Sequence, residues 1–297
     1  MNLSAILSYC AASSAVILGA VIIFRDHRSL VHRIFAVGMG VLATEAALTG
    51  LGFQSPSPFD VMSWQRLRMI PSSFLPGIWL LFSLVFARSN YREFLSRWKW
   101  IVAASFLFPL LVLSFFEETI FEGGPALDES RRLFFRLGWS GYLLYLFFLI
   151  GAVLVLMNLE RTLRHSVGYS RWQVKFMVLG IGGIFGAGIY TNSQVILFRL
   201  LDPDLGVVNE GVLLLANILI ARSLWRVRLL KFDFHLSHSF LYNSFTVLLV
   251  GIYFISVGVV ARLVFYLRGT QYPAITALLV FVAILGLAVF LLSDRVR

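Results

Sequence analysis

An all-α, polytopic membrane bundle is the fold this sequence predicts, and three observations predict it. The 297 residues are 59% hydrophobic and 13% charged, with a mean hydropathy of +0.85. A soluble chain of this length cannot hide that much apolar surface. The apolar residues also come in runs near twenty, the length a helix needs to cross a hydrocarbon core of about 30 Å. Finally, basic residues crowd every second connection between the runs, as the positive-inside rule requires.

Nine spans are expected in chain order. Span one runs from Leu3 to Phe24 and is followed by the basic RDHRSLVHR. It leads directly into further spans and lacks a small-residue cleavage site, so it reads as an uncleaved first helix. Span two covers Ile34 to Leu51 and ends in a polar loop holding Pro56, Pro58 and Asp60. Span three is placed from Met69 to Ala87, with Pro71 in its first turn and Pro76 bending it. Span four is Trp100 to Phe116, before the long acidic loop EETIFEGGPALDESRR. Span five is Leu137 to Met157. Spans six and seven lie between Lys175 and Leu224, joined by the short acidic turn LLDPDLGV. Spans eight and nine are placed at Phe240–Val260 and Ala274–Leu292, and the tail is SDRVR.

Charge orients the bundle. The odd-numbered connections plus the tail carry 17 Lys or Arg and 5 acids; the even-numbered ones carry 8 of each. The N-terminus is therefore expected outside and the C-terminus in the cytoplasm. A β-barrel is excluded, because its strands would be about ten residues long with alternating polarity. The net charge of +10 follows from these loops, with no nucleic-acid-binding motif behind it. The single cysteine, Cys10, permits no internal disulfide and no thiolate metal cluster. His235 and His238 are three apart but lack a third ligand, while His27, His32 and His165 sit in basic loops and form no triad. No cofactor, metal or catalytic residue is expected.

Spans six and seven concentrate the polar residues: Tyr190, Thr191, Asn192, Gln194, Asn209, Glu210 and Asn217. Polar groups at membrane depth are costly and face protein rather than lipid. Glu45 lies roughly 9 to 10 Å below the outer end of span two at the helical rise per residue. Arg199 and Arg262 fall at the outer ends of spans six and eight. Two readings stay open for this set: interhelical hydrogen bonds that orient the bundle, or an outward-facing pocket. Gly180, Gly182, Gly183, Gly186 and Gly188 leave span six bare, and Gly182 with Gly186 forms a small-xxx-small pair suited to close helix packing. Gly38, Gly50 and Gly52 are expected to serve similarly in span two.

Three stretches, RWQVKFMVLGIGGIFGAGIYTNSQVILFR, LSHSFLYNSFTVLLVGIYFISVG and LLVFVAILGLAVFLLSDRVR, resemble the N-terminal membrane region of the PrsK family. These are sensor histidine kinases of the PEP-CTERM/exosortase system in exopolysaccharide-producing Gram-negative bacteria. The resemblance implies a multi-pass inner-membrane input region among membrane lipids, dimerisation, cytoplasmic kinase domains and a response regulator as partner. Residues 1–292 would be the bundle and 293–297 a cytoplasmic stub. The 297 residues hold no phosphoacceptor helix, asparagine box or D-x-G-x-G element, so this polypeptide by itself is not expected to phosphorylate anything. The rival expectations are a transporter-like protein, a membrane transferase and a scaffold. The first lacks clear repeats and broken helices, and the second lacks a convergent His/Asp set.

Overall fold

The computed structural model describes residues 2–86, 91–127, 133–165 and 169–226, all within one compact unit, Met1–Phe234. Spans eight and nine, His235, His238 and Arg262 lie outside the described residues.

Seven long helices account for most of the described chain. They are α1 (Leu3–Arg25), α2 (Leu30–Gln54), α3 (Pro58–Val85), α4 (Tyr91–Phe116), α5 (Trp139–His165), α6 (Tyr169–Phe198) and α7 (Gly206–Arg226). All seven are long and apolar enough to cross a membrane. The 30 residues of α6 span about 45 Å, more than a hydrocarbon core is thick. Apolar side chains such as Val16, Ile17 and Phe24 on α1, Leu107 and Leu111 on α4, and Ile218 on α7 are exposed. In water such surface is costly; against lipid tails it is the expected outer face.

The start of α3 corrects the sequence reading. The residues taken for a loop are a helix start: Ser57 Oγ accepts from the Phe59 N–H at 3.3 Å, Pro58 opens the helix and Asp60 occupies its first turn. A proline at the first helical position loses no hydrogen bond, and an acid there suits the helix dipole. The helix thus begins eleven residues before Met69. This moves Arg66 and Arg68 from a flank into the span, and puts Pro71 in the helix interior with Pro76.

The helices close into a ring. α1 packs on α2 and α7, α2 on α3, α3 on α5, α5 on α6 and α6 on α7, while α4 leans on α3 and α5 from outside. The α1–α7 seam is pinned twice. Asn217 Nδ2 donates to Ser14 Oγ at 2.8 Å, and Arg25 Nη1 donates to the Leu224 carbonyl at 3.1 Å. Trp79 of α3 is fully buried among Phe35, Phe82 and Phe185, with edge-to-face centroid distances of 5.4 to 6.0 Å. Gly38 makes room for this indole: a Cβ there would stand 3.0 Å from the ring. Gly50 does the same for Tyr9, whereas Gly52 makes only ordinary contact.

One end of the ring carries a small lid that helical patterning does not foresee. Strands β1 (Ala126–Leu127), β2 (Leu133–Arg136) and β3 (Leu200–Leu201) pair antiparallel in the order β1-β2-β3. Arg199 takes a left-handed backbone conformation (φ 50°), which ends α6 and turns the chain into β3. Beneath the strands, Ile120, Phe121, Phe135, Leu137 and Leu201 join Met62, Met69, Leu144 and Tyr145 in one buried cluster.

The glycines of α6 divide. A Cβ on Gly180 would lie 2.7 Å from Ile220 Cγ1 and 3.0 Å from the Ala216 carbonyl oxygen, so α7 presses against it. Gly182 has only an ordinary contact with Leu156 at 3.8 Å, and the space beside Gly188 is open. Of these three glycines, Gly180 is the one at which α7 packs closest. Gly180→Leu is expected to lower stability by about 1–3 kcal/mol through overpacking. Gly188→Ala is expected to leave stability unchanged or raise it by up to about 1 kcal/mol. Unfolding midpoints in detergent or nanodiscs check both.

Candidate functional site

Five helices lay polar side chains around one cavity of about 120 Å³. α2 supplies Glu45, α3 supplies Arg68 and Ser72, α5 supplies Tyr145, α6 supplies Asn192, and α7 supplies Asn209 and Glu210. All but Ser72, at the middle of α3, come from the lidded half of the bundle. Glu210 is the fifth residue of α7 and Asn192 lies six residues before the end of α6, about 6 and 9 Å from those helix ends. Leu42, Leu213, Phe148 and Phe185 make up much of the apolar wall.

The charges are close but not clamped. Glu210 is 4% exposed, and its Oε2 has no hydrogen-bond partner. Glu45 and Arg68 both act on it electrostatically. Ser72 Oγ donates to Glu45 Oε1 at 2.8 Å and lies 2.9 Å from the Arg68 carbonyl oxygen. Tyr145 faces the Arg68 guanidinium, whose Nε is buried without a partner. Among the described residues no carboxylate lies within 4.0 Å of that guanidinium. Two carboxylates and one guanidinium thus share a cavity without a direct ion pair. Such an arrangement is costly in an apolar setting unless something else satisfies it.

The remaining contacts hold the frame. Thr191 Oγ1 lies 3.3 Å from Asn209 Oδ1 and 3.2 Å from its Nδ2, tying α6 to α7 and leaving one end of the amide for the cavity. Thr191 also donates back to the Ala187 carbonyl at 3.1 Å, a bond that keeps its hydroxyl inside. Pro76 lines the cavity as well and supplies no N–H to the Ser72 carbonyl one turn earlier. Gly151 lets Pro76 approach α5: a Cβ there would be 2.7 Å from Pro76 Cβ.

The structure brings together Glu45, Asn192, Asn209 and Glu210 of the residues singled out in the sequence. It places the others elsewhere. Asn217 belongs to the α1–α7 seam, because its side chain points to Ser14. Arg199 is exposed and lies over the Tyr142 ring at 5.2 Å, since its backbone has already turned toward β3. Tyr190 is buried and Gln194 partly buried on α6, outside the cavity lining. Arg68, Ser72 and Tyr145 were missed. The signal that would have found Arg68 is the Ser57-Pro58 helix start, which carries it ten residues into the membrane span.

A seven-helix membrane bundle with a buried polar cavity is the class this fold and site define. Residues 7–233 match the family described as the N-terminal 7TM region of histidine kinase, and the chain belongs to that family. That match covers the seven described helices and corresponds to a sensor region, not to a kinase catalytic core. No curated protein matches the chain, and no solved structure does.

Because Arg68 acts electrostatically on Glu210, its removal is expected to couple with removal of that charge. Arg68→Met should destabilise the bundle, and adding Glu210→Gln should recover part of the loss. A double-mutant cycle on thermal unfolding should give a coupling of at least about 0.5 kcal/mol; additive effects would mean that the two groups do not sense each other.

Proposed function

We propose that this chain is the signal-input bundle of a PrsK-type sensor histidine kinase of the PEP-CTERM/exosortase system, and that the cavity around Glu45, Arg68 and Glu210 receives the signal. The observation that carries the second part is the convergence of three ionisable groups from three helices on one cavity. Intramembrane ionisable residues mark functional pathways by default. Nothing in a ring closed by apolar packing alone calls for them.

Occupancy of the cavity acts by population shift. A ligand that contacts α2, α3 and α7 together favours the helix arrangement in which its partners are best aligned. Small helix displacements at packed interfaces then pass along the chain beyond Arg226 toward the kinase domains and a response regulator. In this reading residues 1–292 form the membrane bundle and 293–297 the cytoplasmic stub, with the N-terminus outside the bacterial inner membrane and the cavity near its outer face. The excess of basic residues in the odd-numbered connections supports that sidedness. Dimerisation follows from the histidine-kinase class.

Autophosphorylation of the kinase that contains this region, in vesicles or by a response-regulator reporter, tests the input site. Glu45→Gln and Glu210→Gln should each change output about 5-fold or more, the usual range of allosteric coupling. Output unchanged in both variants would sink the proposal. Loss of regulated exopolysaccharide synthesis on deletion of the gene checks the PEP-CTERM assignment.

A further inference from the structure

We propose that the cavity binds a small solute carrying a primary ammonium group, seated between the Glu45 and Glu210 carboxylates. This rests on reading the cavity as the input site and adds the chemical class of its ligand.

Three features select that class. The first is charge: two carboxyl groups face a single guanidinium, and a monocation between them brings the site to neutrality with both ionised. An anion would meet one favourable and two unfavourable partners. The second is the balance of donors and acceptors. Glu210 Oε2 is a buried acceptor with no partner, Glu45 has only the Ser72 hydroxyl on Oε1, and Pro76 gives the Ser72 carbonyl no N–H. The carboxylate oxygens are short of donors, since the unused Arg68 Nε lies more than 4.0 Å from both carboxylates. A primary ammonium brings three donors and no acceptor. The third is size, because about 120 Å³ bounded by Leu42, Phe148 and Leu213 suits a short aliphatic body of a few heavy atoms.

Other cations fit less well. A divalent metal wants six or more oxygen ligands or a cluster of acids and imidazoles. Among the described residues no three His, Cys, Asp or Glu are grouped so as to hold a metal ion, and Arg68 would repel one here. A quaternary ammonium can use the faces of Tyr145, Phe148 and Phe185, but it has no N–H to offer Glu210 Oε2. Arg68 has a defined place in this scheme. It holds the two carboxylates apart from full repulsion when the site is empty. It also stands ready for a carboxylate if the solute is an amino-acid zwitterion and not a simple amine.

The test uses the purified 297-residue chain in lipid nanodiscs, titrated calorimetrically at constant ionic strength with methylammonium, glycine, tetramethylammonium and sodium. Methylammonium is expected to bind saturably, at least about 10-fold tighter than tetramethylammonium, and about 10-fold or more weaker in Glu210→Gln, as loss of a charged hydrogen bond implies. Gly188→Leu, which builds a side chain into space that is open beside the cavity, should also abolish binding. Circular dichroism and the unfolding midpoint establish that both variants fold. Glycine binding tighter than methylammonium would assign the ligand to zwitterions held also by Arg68; weaker binding would assign it to simple amines. The proposal is overturned if no amine binds, if tetramethylammonium or sodium matches methylammonium, or if Glu210→Gln binds methylammonium as the natural chain does. Failure here combined with altered kinase output in Glu45→Gln and Glu210→Gln would remove the ligand class and leave the input site standing. Amine binding with unaltered output would do the reverse.

Discussion

Ionisable groups away from water must find partners, and in this bundle that constraint organises the helices around the cavity. Glu45, Arg68 and Glu210 sit on α2, α3 and α7, so their mutual electrostatics depends on all three helices holding position. Apolar packing between helices does little to choose among rotations when lipid is as apolar as a side chain. The polar set does choose. Turning α7 by half a turn would put Glu210 against hydrocarbon and take Asn209 away from Thr191 and Asn217 away from Ser14. One helix thus has two polar anchors on different neighbours, and they fix its rotation together.

The lid serves the same constraint from above. α6 ends at Phe198 and α7 begins at Gly206, and both carry cavity residues within two turns of those ends. Helix ends have unpaired backbone groups and fray when nothing binds them. Here Leu137 N–H donates to the Arg199 carbonyl at 2.9 Å, and β3 pairs with β2, so the α6–α7 turn is tied to the segment that precedes α5. Gly138 and Gly141 are what let that segment come so close: a Cβ on either would lie 2.0 or 2.4 Å from the Thr119 or Ile120 carbonyl oxygen. The lid thereby steadies three of the five helices that line the cavity.

The sequence showed the helices well and the site in part. Apolar runs near twenty residues located all seven described helices, since length and hydropathy suffice for that. Glu45, Asn192, Asn209 and Glu210 were legible because polar residues stand out in apolar runs. Arg68 was not, because the run was started after it: hydropathy discounts a segment containing Arg66 and Arg68, whereas the capping chemistry of Ser57 and Pro58 does not. The lid was hidden for another reason. Its strands are two to four residues long, too short for alternation to register, and their pairing joins residues some 65 positions apart. Which of the two readings applied to Asn217 and Arg199 was not legible, because position along a helix is readable from sequence but which neighbour a helical face meets is not.

An unpartnered polar atom does not by itself mark a binding site in this structure. Gln65 Oε1, Trp79 Nε1 and Gln194 Nε2 are also buried without partners, and Asn217 Oδ1 is too although its Nδ2 is bonded. None of those residues lines this cavity. Glu210 differs on both counts. Its free oxygen belongs to a group that can carry a full charge, for which lost solvation is far more costly than for an amide or indole. It also faces open volume, with Gly188 contributing no side chain to fill it. A charge-bearing acceptor, empty space and a nearby second carboxylate occur together at one place among the described residues, and that conjunction separates the cavity from the polarity that merely holds helices in register.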